Sequence, residues 1–338
     1  MPVATLEKTP ILEQIYKRYQ VGDNFGLEYL KHWFKPEELV NLNLDDLNLS
    51  TLYQSRFDFA LSTNIRGEEF YREITPYLPK FGNRYLDVGC GYGGFMVAFH
   101  NHGYRVAGID INPGLIYFTN NNLKDYKIEA LVLQDSILTD GIKEKLGMFD
   151  VISCYDVIEH VENVPTCLEK VTDLLNPDGI LGLKIPNKDS IKFVTKDGHY
   201  NLFGITLLKH ELAYQYHRKF FTTEYDVGEY YPLPYYINQL ERLGCSVHVL
   251  GRDRYLRFRR GPDLIKDLLS QYLVFRKKAR FSIPNEISSQ ININFMRYFF
   301  RVLMTFLFPI DVPSFRERYL TDFWTILAVK GNMVKTNL

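Results

Sequence analysis

The residues best suited to chemistry in this 338-residue chain begin with Leu86-Asp87-Val88-Gly89-Cys90-Gly91-Tyr92-Gly93-Gly94, an apolar run ending in an acid and then four glycines. Glycines at such a turn let a nucleotide approach the backbone before a helix that begins near Phe95. The expected ligand is an adenosine-containing cofactor. Gly89, Gly91 and Gly94 also satisfy the G-x-G-x-x-G pattern of dinucleotide sites, where a pyrophosphate rests on the helix N-terminus. That task does not require a carboxylate two residues before the first glycine. A cofactor with a cationic amino-acid tail, such as S-adenosylmethionine, gives Asp87 a partner and tilts the choice toward a methyl donor.

Further acids follow at strand ends. Tyr104 to Asp110 reads as a buried strand whose terminal acid stands 21 residues after Gly89, where a carboxylate can accept hydrogen bonds from both ribose hydroxyls of either cofactor. Asn112 and Pro113 then open a helix as N-cap and first-turn residue. A third strand, Ile128 to Leu133, leads to Gln134-Asp135-Ser136. There Asp135 either meets the adenine amino group or caps a helix. A fourth strand, Met148 to Cys154, runs into Tyr155-Asp156-Val157-Ile158-Glu159-His160-Val161. A helix to Leu175, a Pro177-Asp178-Gly179 turn and a fifth strand ending in Ile185-Pro186-Asn187 come next.

In this order the blocks closely resemble those of the class I S-adenosylmethionine-dependent methyltransferases, in particular the branch with ubiquinone-biosynthesis O-methyltransferases and many small-molecule and sugar methyltransferases. The resemblance covers about residues 80–190. It implies an α/β fold: a Rossmann-like seven-stranded sheet, mostly parallel with the last strand antiparallel, helices on both faces, an N-terminal helical cap and helical insertions. It implies that Asp87, Gly89, Gly91 and Gly93 line the methionine tail and that Asp110, with Ile111 beside it, binds the ribose. Asp135 and Ser136 would meet the adenine, and Tyr155 and Asp156 would face cofactor and acceptor, where open parallel sheets place their ligands.

The activity so implied is methyl transfer from S-adenosylmethionine to a small-molecule acceptor, with oxygen as the expected acceptor atom. Carbon or nitrogen of a sugar or secondary metabolite is the alternative within enzymes. A cofactor-binding assembly subunit without catalysis is the alternative of another class, against which the intact glycine turn and cofactor acids argue. A nicotinamide oxidoreductase leaves Glu159-His160 and Ile185-Pro186-Asn187 without a role. The catalytic candidates are His160, Tyr155 and His199. An imidazole can take the proton of an acceptor hydroxyl at neutral pH, so His160 comes first, against the reading that it packs at a helix start. Some ubiquinone O-methyltransferases hold a divalent cation with Glu-x-x-Glu-His, which Asp156, Glu159 and His160 reproduce with one conservative change. Glu-His-Val is also common without metal, and no metal ligand is assigned.

These groups need elements to position them. Residues 1–80 read as a helical cap, from Leu12, Ile15, Tyr16 and Tyr19 and then Leu27, Leu30, Trp33 and Phe34 at helical spacing. Tyr53, Arg56 and Phe57 are placed to close over the cofactor. The core spans 81–250 plus 321–332, with Cys245 to Leu250 and Phe323 to Lys330 as sixth and seventh strands. Within it, 188–244 reads as an aromatic lid over the acceptor: residues 199–236 hold eleven Phe and Tyr, about twice the 15% share of the chain. His199, His210 and His217 stand out there. Between the last two strands the family usually has a short hairpin, whereas this chain has a basic and apolar insertion, 251–320. It carries Arg252 to Arg260, Arg276 to Arg280 and the apolar Tyr298 to Ile310. A solvated face with a packed helix is expected, or a peripheral membrane contact, a homodimer contact or a site for a phosphate-bearing acceptor.

Composition narrows the partners. Basic and acidic residues balance at 40 each, so net charge gives no attraction for nucleic acid. Cys90, Cys154, Cys167 and Cys245 show no metal or redox spacing and read as buried residues in a reducing cytosol. Met1 to Lys8 lacks a signal pattern and no run is long enough to span a bilayer, so a cytoplasmic location is expected.

Overall fold

Apolar runs alternating with amphipathic helical stretches dictate a helix-covered, mainly parallel sheet. The computed structural model describes residues 10–251, 261–308 and 312–331, and has that sheet. Met1 to Lys8 and Arg252 to Arg260 lie outside the described residues.

The chain opens with helices α1 (Pro10–Tyr19), α2 (Asp23–Trp33), α3 (Pro36–Leu39), α4 (Thr51–Leu61) and α5 (Thr63–Ile74). It continues β1 (Arg84–Val88), α6 (Gly94–Asn101), β2 (Arg105–Asp110), α7 (Pro113–Asp125), β3 (Leu131–Gln134), α8 (Ile142–Leu146), β4 (Phe149–Tyr155), α9 (Val164–Asp173) and β5 (Leu175–Pro186). Then come α10 (Ile191–Thr195), α11 (His210–His217), α12 (Leu233–Arg242), β6 (Cys245–Leu250), α13 (Gly261–Ser282), α14 (Asn285–Leu307), α15 (Val312–Tyr319) and β7 (Phe323–Lys330). The 7-stranded sheet has the order β3-β2-β1-β4-β5-β7-β6. Strands β1 to β5 pair in parallel, and β7 runs antiparallel to β5 and β6. The expected architecture is therefore present, with the sixth and seventh strands on the residues anticipated for them.

One local expectation is corrected. Pro177-Asp178-Gly179 does not separate a helix from a strand, because β5 already begins at Leu175 and runs through it. Asp178 takes a left-handed φ of 61°, and pairing with β4 slips between Phe149 and Val151, so the Pro-Asp-Gly unit is a bulge inside the strand.

Alternation along the strands splits the core. On β1, Leu86 and Val88 join the cluster on one face and Tyr85 joins the cluster on the other. The N-terminal helices have their own core around Phe25, Leu30 and Phe57. A further cluster unites the lid and the insertion: Val194 and Tyr216 pack with Phe295 and Tyr298. The two segments drawn separately in the sequence thus form one helical unit. The four cysteines are free and buried. Among the described residues no helix is long and apolar enough to cross a membrane.

Candidate functional site

The strand order reverses between β1 and β4, which opens a crevice outside their carboxyl ends. A cleft of about 860 Å³ lies there, lined from β1, β2, β4, α5 and the loops that leave those strands. Volumes of roughly 300–1,000 Å³ suit a cofactor or a small ligand.

Asp87 is the next-to-last residue of β1 and is buried, accepting a hydrogen bond from Ser153 Oγ at 2.5 Å. Burial, with Asp110 adding its charge, pushes its carboxyl up to about 7. A cationic group arriving in the cleft would favour the ionised form. Asp110 ends β2 and holds the glycine turn: one oxygen accepts from Gly91 N–H at 3.0 Å, the other from Asn112 N–H at 2.9 Å. Each oxygen retains a lone pair for a ribose hydroxyl. Gly91 takes φ +53° and lines the cleft, and a Cβ there would make an ordinary contact with the Gly89 carbonyl oxygen at 3.8 Å, so the turn is not crowded against a ligand.

The glycines divide their work differently from the expectation. Gly89 and Gly91 line the cleft, but Gly93 does not: it is the N-cap of α6 and packs against Thr119 of α7. A Cβ on Gly94 would stand 2.2 Å from the carbonyl carbon of Thr63, and one on Gly67 would stand 2.5 Å from the Gly94 carbonyl oxygen. The close approach at Gly94 is made by helix α5.

Asp135, Ser136 and Ile111 all line the cleft. Asp135 is held down at about 2 by Lys145, by Thr139 and by the Ser136 N–H. The same carboxylate thus caps its own turn, accepting from Thr139 Oγ1 at 2.6 Å and Ser136 N at 2.8 Å, and pairs with Lys145 at 2.7 Å. Both alternatives for this residue therefore remain chemically compatible. Ile111 is 69% exposed and offers an apolar edge at the mouth.

The β4 end carries Tyr155, Asp156, Glu159 and His160. Tyr155 borders the cleft, but its ring lies 4.4 Å from that of Phe70 and 5.2 Å from that of Phe95. Its hydroxyl is buried and burial pushes it well above the ordinary phenol range. A phenol packed into the core is badly placed for the catalytic role expected of it. Asp156 takes a left-handed φ of 56°, a strained geometry for a residue with a Cβ. Its carboxylate lies 3.3 Å from Lys184 Nζ and 3.8 Å from Arg66 Nη1. Asp156 is thus paired with two cations, and it is not in the cluster of ligand atoms that Glu159 and His160 form, so the trio weighed and left unassigned in the sequence is not assembled.

A different trio is. Glu159, His160 and His199 each offer a ligand atom, all within 4.8 Å of one another. Glu159 is buried, one carboxylate oxygen has no hydrogen-bond partner, and burial with Asp156 nearby pushes it up to about 8. His199 lies behind His160, with the rings 5.2 Å apart, and burial next to His160 lowers it to about 4. His199 does not line the cleft, so its expected direct catalytic role gives way to a place behind the residue that does.

His160 lines the cleft and its Nδ1 donates to the carbonyl oxygen of Asp226 at 2.9 Å. The lid segment is pinned there a second time, by Gly228 N–H to the Glu159 carbonyl at 2.6 Å. Tyr200 fixes Asp226 from behind, donating to its carboxylate at 2.5 Å.

Among the cleft residues that escaped the sequence reading are three from the cap. Phe59, Thr63 and Arg66 line the cleft from the cap, where Tyr53, Arg56 and Phe57 had been expected. Phe57 is fully buried in the cap core, Tyr53 is 52% exposed, and Arg56 reaches the His199 carbonyl at 3.5 Å. Phe59 comes from the end of α4 and Thr63 and Arg66 from one face of α5, and the 59, 63, 66 spacing is the one sequence signal for them. Arg66 stacks 3.6 Å over the Phe59 ring.

Residues 54–249, more than half of the chain, match the model of a methyltransferase domain. The ubiquinone biosynthesis O-methyltransferase of Xylella fastidiosa (strain 9a5c) is 32% identical over 127 residues, 36% of this chain and 49% of the relative. That of Rickettsia typhi is 30% identical over 134 residues, 38% of this chain and 48% of its own length. The chain spans about half the length of the curated relatives it matches. A solved S-adenosylmethionine-dependent methyltransferase of Archaeoglobus fulgidus is 16% identical, with a TM-score of 0.45, over 82% of this chain and 99% of its own.

Proposed function

The chain belongs to the class I S-adenosylmethionine-dependent methyltransferases, and on that premise we propose that it methylates an oxygen of a small molecule, with His160 as the base. Asp87 would meet the cationic tail of the donor and Asp110 its ribose. The acceptor oxygen attacks the methyl carbon, the carbon–sulfur bond breaks, and the sulfonium leaves as the neutral thioether of S-adenosylhomocysteine. The acceptor proton passes to His160. Because the donor is already activated, alignment in the cleft can supply roughly 7–11 kcal/mol of barrier reduction. A positioned base adds roughly 10²–10⁴-fold.

The observation that carries this reading is the hydrogen bond from His160 Nδ1 to the Asp226 carbonyl. A carbonyl only accepts, so in the neutral ring the proton sits on Nδ1 and Nε2 carries the lone pair. The test has two parts. Equilibrium binding should give measurable affinity for S-adenosylhomocysteine and none for NAD; the reverse preference overturns the cofactor assignment. Methyl transfer assayed on hydroxyl-bearing and amine-bearing small molecules should favour the hydroxyls, and preference for amines overturns the acceptor atom.

A second reading is favoured by the buried, unpartnered carboxylate oxygen of Glu159. Glu159, His160 and His199 would hold a divalent cation, and two imidazoles with one carboxylate suit a zinc- or manganese-like ion. Such an ion would supply Lewis-acid polarisation of the acceptor hydroxyl. Calorimetric titration of the apo-protein with zinc and with manganese, repeated on His199→Ala, separates the readings: saturable binding that His199→Ala removes supports the ion, and its absence leaves His160 as a base.

A further inference from the structure

Helix α14 is apolar on two opposite sides. Ile287, Ile291, Phe295, Tyr298 and Val302 share one face and are buried in the helical unit. Ile293, Met296, Phe300, Met304 and Leu307 recur at three- and four-residue steps on the other face. Phe300, Met304 and Leu307 there are 56, 52 and 55% exposed. A helix apolar all round is normally buried all round, so this outer stripe calls for a covering partner.

The charge beside the stripe says which partner. After Glu286 the helix carries no acidic residue, and its two charged positions are Arg297 and Arg301. Both line a cavity of about 510 Å³ together with Lys188 and Lys209. Among the described residues the one carboxylate lining it is Asp189, which lies 3.9 Å from Arg318 Nε. Four cations against one acid form a site for a phosphate group, and arginine forks match its geometry. An exposed apolar stripe with a basic cavity at its flank has the chemistry of an interfacial helix, apolar side chains among acyl chains and cations among anionic headgroups. Two copies pairing α14 antiparallel through the stripe would instead set their arginine rows side by side, a repulsive arrangement.

We propose that the outer face of α14 seats the protein on an anionic bilayer surface, with Phe300, Met304 and Leu307 entering the acyl boundary and Lys188, Lys209, Arg297 and Arg301 holding a lipid phosphate. This seating is independent of the methyl-transfer reading and goes beyond it.

The experiment is vesicle co-sedimentation of the full chain. Vesicles of phosphatidylcholine alone are compared with vesicles in which part of it is replaced by phosphatidylglycerol, at low and high salt. Binding is expected only to the anionic vesicles and is expected to weaken with salt. R297Q and R301Q should each lower the partition constant about fivefold. Phe300→Ser with Met304→Ser should abolish binding, while S-adenosylhomocysteine affinity, read on the same samples, reports that every variant is folded. Equal binding to both vesicle types, binding unchanged in the variants, or no vesicle binding at all overturns the proposal. So does a concentration-dependent dimer that Phe300→Ser dissolves, or saturable binding of inorganic phosphate without vesicle binding.

Discussion

The Nδ1 of His160 and the carbonyl oxygen of Asp226 lie 2.9 Å apart, which ties the loop after β4 to the aromatic lid. The lid backbone therefore orients the ring that faces the cleft. His160→Ala should reduce turnover at least about tenfold while leaving S-adenosylhomocysteine affinity within about twofold of the parent. Turnover that stays unchanged shows that the ring only packs.

Asp110 makes a different prediction, because it serves both ligand and turn. Asp110→Ala removes the acceptor for Gly91 N–H and Asn112 N–H as well as the expected ribose contact. Hydrogen bonds to a charged group are worth about 1.5–3 kcal/mol each, so S-adenosylhomocysteine affinity should fall by about one to two orders of magnitude. Isothermal titration reads this; undiminished affinity would remove the ribose assignment.

Asp87 makes stability depend on pH. Its carboxyl titrates near about 7 in the folded protein against 3.8 for the ordinary group, raised by burial and then by Asp110. The folded state thus holds a proton that the unfolded chain gives up. The stability from this group is complete below about pH 3.8 and is lost as pH rises through about 7. Urea midpoints taken at mildly acidic and mildly alkaline pH should fall more for the parent than for Asp87→Asn. Parallel curves would show that Asp87 ionises normally. The cofactor tail, being cationic, should bind more tightly across the same rise in pH.

The two glycines of the turn should respond oppositely to alanine. Gly94→Ala drives a Cβ into the Thr63 backbone, 2.2 Å away, and neither side can yield. Its thermal unfolding should reflect a loss exceeding the roughly 1–3 kcal/mol usual for an overpacked site. Gly91→Ala makes only an ordinary contact with the Gly89 carbonyl oxygen at 3.8 Å but must hold φ +53°, costing roughly 1–2 kcal/mol, and the position lines the cleft. It should therefore lose more in cofactor affinity than in stability. A Gly94→Ala protein as stable as the parent would mean that α5 does not rest on the turn.

The sheet was legible because its information is local. Asp87, Asp110 and Asp156 each close an apolar run, and a run with its terminal acid announces both a strand and the cleft beyond it. What stayed hidden depends on contacts between distant segments. Arg66 belongs to the cap by sequence and to the cleft by geometry, since Gly67 and Gly94 let α5 lie directly on the glycine turn. Tyr155 stands at the expected strand end, yet Phe70 captures its ring, and Phe70 is 85 residues away in the chain. His199 joins Glu159 and His160 in one cluster, while the Asp156 carboxylate is taken by Lys184 and Arg66. No short motif carries such competition for a partner.

The core shared by Val194, Tyr216, Phe295 and Tyr298 bears on redesign. An acceptor pocket is often changed by grafting a lid from a relative as a self-contained cassette. Here such a graft would arrive without its inner wall, because the helices that complete it come after β6. Residues 188–244 and the α13 to α15 helices are one inheritable unit, to be exchanged together. Changes to the helical insertion should therefore be felt at the cleft through Asp226, even though no described residue of the insertion lines it.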